Sequence, residues 1–275
     1  MRFDAGFAML IDGKMEPGAR TVPVINPANE LVFAHAPDAE LADLGRAVAA
    51  ARAAFPAWAA QSLDSRRAIL RAMAAALVDH QDALMRLLTR EQGKPHSDAL
   101  GEVLGAAHWL EGTASLDLPV TVNEDSGTRF SETHRIPMGV VGAIAPWNYP
   151  LLLAVFKLGP ALLAGNTVIL KPSPFTPLTT LKFGELVRAL LPPGVLNIVS
   201  GGDALGPWMT SHSGIDKISF TGSTATGKRV MQSASASLKR LTLELGGNDP
   251  AIVLPDADPE AIAESIFWAA FGNAG

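Results

Sequence analysis

Three kinds of hydrophobic patterning follow one another along the 275 residues. Up to residue 38, short apolar runs are separated by turn residues: 7–11 before Asp12-Gly13, then 21–25 running into Asn26-Pro27. These predict short strands. From 39 to about 118 apolar positions recur every three or four residues. A helix is predicted over 39–54, with Leu41, Leu44, Val48 and Ala51 on one side, capped by Asp38 and ended by Pro56. A second helix starts at Asp64 or Ser65 and runs to Val78. A third covers 81–92 and breaks at Gly93-Lys94-Pro95, and a fourth opens at Ser97. Residues 119–138 alternate apolar and polar around Asp125-Ser126-Gly127, which is a hairpin pattern. A lone hairpin is marginal, so it needs another surface or subunit to pack on.

Beyond residue 139, buried-strand runs alternate with helices. The segment Val-Val-Gly-Ala-Ile at 140–144 is short and apolar, as a doubly covered strand is. Pro146 to Pro150 then form a rigid turn. Leu151, Leu152, Ala154, Val155, Leu158, Ala161 and Leu162 recur at helical spacing until Gly165-Asn166 stops them. Residues 167–170 make a second buried strand ending at Lys171-Pro172. Strand, helix and strand in this order predict a right-handed βαβ unit, whose ligands sit at the carboxyl ends of its strands. The alternation continues: a helix over 177–191, a strand at 195–199, and a short helix to Ser211 capped by Asp203. A strand at 217–220 and a helix to about Ala236 follow. Strands are then expected at 241–245 and 251–254, and a helix towards Phe271 capped by Asp256 or Asp258. The class is therefore α/β: a doubly wound parallel sheet with an α-rich N-terminal part and a projecting β-hairpin.

Composition narrows the function classes. A net charge of −5 with interspersed signs marks no nucleic-acid surface. No apolar run approaches a membrane span, and the N-terminus makes a poor signal peptide, so a cytoplasmic protein without membrane partners is expected. The six histidines are scattered without ligand spacing, so no metal is expected. There is no cysteine. That removes disulfides and any thiol nucleophile supplied by these residues.

Four features carry candidate chemistry. The loop 220–227, Phe-Thr-Gly-Ser-Thr-Ala-Thr-Gly, lies between a strand and a helix, so it is either a tight turn or a phosphate site at a helix start. Lys171 ends a buried strand, as a snorkelling surface lysine or as a donor to ribose or phosphate. Asn148 sits in the proline-locked turn, as an Asx-turn residue or as an amide donor to a developing oxyanion. Glu244, flanked by apolar residues near a strand's carboxyl end, is either an exposed strand-face carboxylate or a partly desolvated general base.

Together these segments resemble the NAD(P)-dependent aldehyde dehydrogenase superfamily. The resemblance rests on 142–150, 157–178, 192–201, 216–230 and 241–258, with Glu-Gln-Gly-Lys-Pro at 91–95 and Phe-Gly-Asn-Ala-Gly at 271–275, in the family order. It implies a Rossmann-like NAD(P)-binding fold and oxidation of an aldehyde to a carboxylic acid through a cysteine thioester. Asn148 is implied as the oxyanion donor and Glu244 as the residue that activates the hydrolytic water. For the cofactor, the resemblance implies Ile144, Pro146 and Trp147 as a wall, Lys171 at the adenine ribose, and Ser173 among the cofactor-binding residues. Gly201, Gly206, Phe220, Gly222 and Ser223 are implied at the adenine and pyrophosphate, and Leu245 with Gly246 at the nicotinamide end. It divides the chain into 1–118 packing on the cofactor domain, an oligomerisation hairpin at 119–138, a cofactor-binding core at 139–246, and the start of a catalytic domain at 247–275. The expected partners are a small aldehyde and either a second copy or a complementary chain.

Two departures qualify these implications. The family's nucleophilic cysteine would fall three positions beyond Gly275. Pro174 stands where many NAD-preferring members carry a glutamate, which leaves NADP open. A non-catalytic nucleotide-binding or interaction module derived from the family is the alternative reading.

Overall fold

The structure, a computed structural model, describes residues 2–274. Four strands come first: β1 (Met9–Ile11), β2 (Lys14–Glu16), β3 (Thr21–Asn26) and β4 (Leu31–Pro37). Helices α1 (Leu41–Ala59), α2 (Leu63–Asp79), α3 (Gln81–Gln92) and α4 (His96–Ala114) follow, then the hairpin β5 (Thr121–Asp125) and β6 (Phe130–Thr133). The alternating part comprises β7 (Val140–Ile144), α5 (Pro150–Leu163), β8 (Thr167–Lys171), α6 (Leu178–Val187), β9 (Leu196–Ile198) and α7 (Leu205–Ser211). It continues through β10 (Lys217–Gly222), α8 (Thr224–Ser235), β11 (Arg240–Leu245) and α9 (Pro259–Phe271).

One sheet of seven strands runs β11-β10-β7-β8-β9-β1-β2. The five strands from β11 to β9 pair in parallel, and β1 joins antiparallel beside β9. Alternate side chains of the central strands feed two separate cores. Val141, Ala143, Val168 and Leu170 pack with helices α2, α4, α5 and α6. Val140, Ile144 and Ile169 face α1, α7 and α8 on the other side. Burial on both faces is why these strands read as unbroken apolar runs rather than alternating ones.

Several local expectations need correction. Pro56 lies inside α1, which continues to Ala59, because a proline ring removes one helical bond without forbidding helical φ. Asp38 does not cap that helix: the N-cap is Glu40, whose N–H donates to Asp43 at 2.8 Å. Asp38 instead accepts from the Gly202 N–H at 3.1 Å. Ser62, not Asp64 or Ser65, caps α2, accepting from the Ser65 N–H at 3.1 Å. The short helix α7 begins at an Ala204 N-cap with no side-chain bond, so Asp203 is free of that duty. Residues 251–254 form no strand and are exposed. An apolar run becomes a strand only where a neighbour pairs with it, and β11 remains the outer strand of the sheet. Asp258 does cap α9, accepting from the Glu260 N–H at 3.0 Å.

Candidate active site: a groove across the sheet's carboxyl edge

The chain builds β7, β8 and β9 outward in one direction, then crosses back to lay β10 and β11 on the other side of β7. That reversal leaves a crevice between the carboxyl ends of β7 and β10, the place where open α/β sheets bind ligands. A groove of about 1330 Å³ occupies it.

One wall follows β7 and β8. The Ala145 N–H donates to the Lys171 carbonyl at 3.0 Å, tying the two strand ends together. Ile144, Pro146, Trp147 and Asn148 line the groove from the turn that follows. That turn is held from behind. Lys94, buried after α3, donates from Nζ to Glu102 at 2.5 Å and to the Asn148 carbonyl at 3.0 Å. The ammonium also lies 4.0 Å from the centroid of the Tyr149 ring. The other oxygen of Glu102 accepts the N–H groups of Leu151 and Leu152 at 2.9 and 3.2 Å, satisfying the open first turn of α5. A sharp stop brings Lys94 there: Gly93, at φ 94°, closes α3 in the left-handed conformation that glycine adopts cheaply. The Asn148 carbonyl also accepts from Asn273 Nδ2 at 3.2 Å.

The opposite wall is β10, the loop after it and α8. Phe220, Gly222 and Ser223 line the groove. Ser223 caps α8 through Oγ, which accepts from the Thr226 N–H at 3.2 Å. A helix start leaves its first N–H groups without intrahelical partners, and Ser223 and Thr226 of this one line the groove, so it can seat a phosphate. Gly227 lets α8 settle on β11, because a Cβ there would lie 2.5 Å from Leu245 Cδ2.

Lys171 is 6% exposed, and its Nζ donates to the Pro172 carbonyl at a long 3.3 Å. Burial lowers its pKa to about 8, partly offset by the charge of Asp203. Ser173 lines the groove while accepting from the Phe175 N–H at 3.3 Å. Glu244, Leu245 and Gly246 close the far end, with Gly206 at the near one.

Of the residues singled out from sequence, Gly201 alone does not line the groove. It is a close-packed position: a Cβ there would meet Leu205 Cδ2 at 3.1 Å and the Ala39 nitrogen at 3.3 Å. Of the two readings left open for Glu244, the structure takes the exposed strand-face carboxylate over the partly desolvated one. Its residue is exposed, because β11 has an open flank.

The structure adds groove residues that sequence reasoning passed over. Lys157, on the buried face of α5, donates to Thr221 Oγ1 at 2.7 Å. Burial lowers its pKa to about 8, and the charge of Glu244 partly offsets this. A lone lysine inside the apolar run 151–163 was the available signal. Asp203, Arg229 and Phe156 also line the groove.

The strand order and the crevice at its reversal define a dinucleotide-binding α/β sheet. Comparison carries this further: the model of the aldehyde dehydrogenase family matches residues 14–275. The chain belongs to that family. It is 43% identical over 282 residues to the chloroplastic betaine aldehyde dehydrogenase of Beta vulgaris, covering 96% of this chain and 55% of that one. A Bacillus cereus aldehyde dehydrogenase solved as an NAD+ complex superposes with a TM-score of 0.95 at 34% identity, over 98% of this chain and 57% of that one. An Escherichia coli structure described as an NADP-dependent enzyme superposes at 0.94 and 37% identity, over 98% and 57% respectively. The chain thus spans a little more than half the length of these relatives.

Proposed function

We propose that these 275 residues form the cofactor-binding side of an NAD(P)+-dependent aldehyde dehydrogenase, which oxidises an aldehyde to a carboxylic acid. The observation that carries this is the groove at the β7/β10 reversal. It joins a helix-start phosphate seat at Ser223, a buried lysine at 171 and the Asn148 turn in one cavity. The fit to a dinucleotide is physical: Lys171 is buried with one long bond to a carbonyl, so its remaining N–H groups have donor capacity for ribose oxygens.

Bound NAD(P)+ supplies the hydride acceptor. The protein's own groups do the rest. Asn148 donates its side-chain amide to the oxyanion formed when a thiolate adds to the aldehyde. Its carbonyl, fixed by Lys94 and Asn273, keeps that turn from rotating. Glu244 takes the proton of the water that hydrolyses the thioester. The chain contains no cysteine, so the thiolate comes from residues outside these 275, whether in the same polypeptide or in a complementary chain. The exposed apolar residues of the hairpin, Val122 and Phe130 among them, suit a second copy as partner. Among the described residues, no helix is long and apolar enough to cross a membrane.

The missing thiol also favours a second reading, a nucleotide-binding module without turnover. Calorimetric titration of the purified chain with NAD+ and NADP+, beside an assay for reduced cofactor across a panel of aldehydes, tests both. Binding without turnover is expected. Turnover that vanishes in Glu244→Ala would replace the thioester mechanism, and failure to bind either dinucleotide would overturn the groove assignment.

A further inference from the structure

We infer that Asp203 sets the choice between the two dinucleotides, favouring the one whose adenosine ribose carries a free 2′-hydroxyl. This rests on the groove being a dinucleotide site. Reading a ribose diol requires an acceptor carboxylate, whereas a 2′-phosphate requires cations and suffers beside a carboxylate. In a sheet of this order the acceptor is expected at the end of the second strand outward, here β8. That end reads Lys171-Pro172-Ser173-Pro174 and holds no acid. The Ser173 hydroxyl is turned into its own loop, accepting from Phe175.

Two carboxylates line the groove among the described residues, Asp203 and Glu244. Glu244 belongs to β11, separated from β8 by β7 and β10. Asp203 follows β9, the immediate neighbour of β8, and its charge acts on Lys171. It is exposed and spends no oxygen on capping α7. The loop that carries it is fixed on both sides. The Gly202 N–H donates to Asp38 at 3.1 Å, the Ala39 N–H to the Ser200 carbonyl at 2.9 Å, and the Leu205 N–H to the Gly202 carbonyl at 3.3 Å. An acceptor on a pinned loop therefore lines the same groove as a buried donor, at adjoining strand ends. Lys171 donates to the ribose oxygens, and Asp203 accepts from the 2′-hydroxyl. A 2′-phosphate would bring close to two negative charges against that carboxylate.

The test is calorimetric titration of the 275-residue chain with NAD+ and with NADP+, in the native form and as Asp203→Asn. The native chain is expected to bind NAD+ about tenfold more tightly, a modest charge repulsion converted to affinity. Asp203→Asn should bring the two within about threefold, mainly through tighter NADP+ binding. Adding Lys171→Met should weaken both dinucleotides and abolish that gain. Asp203→Ser repeats the comparison with a smaller side chain at the same exposed position, and circular dichroism checks that each variant is folded. A native preference for NADP+, or a ratio unmoved by both Asp203 substitutions, would overturn the assignment of Asp203 while leaving the groove intact. Binding of neither dinucleotide by the native chain overturns the groove itself, and the assignment with it.

Discussion

The two ends of the groove are built to different standards. At the β7–β8 end the strands are buried on both faces, and charged side chains buried behind the turn are partnered: Lys94 with Glu102, Glu91 with the N–H groups of Leu178 and Thr179. At the β11 end the sheet stops. No residue of α9 is buried, and Ile252, Leu254, Phe267, Trp268 and Phe271 face outward. The difference separates two tasks. The packed end carries the Asn148 turn and the buried Lys171 proposed to meet the dinucleotide, and its own side chains close the packing behind them. The open end carries Glu244, the proposed base, on a strand that lacks the cover needed to exclude water.

The contrast is broken most directly through the buried ion pair. Glu102→Ala leaves the Lys94 ammonium, in a side chain 2% exposed, without its carboxylate and frees the first N–H groups of α5. Loss of one partner of such a pair costs about 4 kcal/mol, so the urea midpoint should fall steeply or the chain should fail to fold. A loss below about 1 kcal/mol would mean that water reaches Lys94 and that this end is not dry. Next in size is Leu170→Ala, in a fully buried position of β8, at about 3 kcal/mol by the same measurement. A much smaller loss would show that the core around β8 collapses to fill the cavity.

How much of this was legible beforehand follows the same division. The strands β7 and β8, the helix between them, α3 and the hairpin all appear where hydrophobic period and glycine or proline punctuation put them. In those segments local propensity and tertiary burial agree. The failures lie where the two part. The run 251–254 has strand composition but no strand to pair with. Pro56 is a helix breaker by type yet sits inside α1, near a helix end where one missing bond is tolerated. Asp203 has the chemistry of a cap, but the turn before α7 places Ala204 at that position. The apolar neighbours of Glu244 left its burial open in the sequence, because what surrounds a strand is decided by its flanks in space. Lys157 was hidden for the converse reason, since a single charge in an apolar helix shows its polar partner only after β10 is packed against it.

Acidity gives a third way to sharpen the comparison. Glu91 is buried, and burial raises its pKa from 4.5 to about 7 against the lowering effect of its bonds to Thr179 and Leu178. A carboxyl whose folded value lies above its unfolded one contributes stability that is complete below the unfolded value and is lost as pH rises through the folded one. Unfolding free energy should therefore fall between pH 5 and pH 7.5, and the fall should be smaller in Glu91→Gln. Lys157 and Lys171, lowered to about 8, act above that window and in the opposite sense: their contribution grows as pH rises from about 8 towards 10.5. Urea titrations at pH 5, 6 and 7.5 on both proteins separate the carboxyl from the lysines. Equal slopes would show that Glu91 keeps its charge at little cost, with the N–H groups of α6 outweighing burial.

The smallest expected change in stability belongs to the open end. Phe267→Ser and Trp268→Ser replace aromatic rings exposed by 52% and 62% on a helix with no buried residue. Each should move the unfolding free energy by no more than about 0.5 kcal/mol, because little apolar surface leaves the water there on folding. Binding of a hydrophobic fluorescent dye and self-association in light scattering should nevertheless drop, since the patch formed by Phe267, Trp268 and Phe271 is lost. A loss of about 2 kcal/mol or more would show that α9 is already covered in solution, by a second copy or by a repacked segment of this chain. Running the titration at two protein concentrations distinguishes them. Cover by a second copy makes the midpoint depend on concentration, whereas cover from within leaves it unchanged.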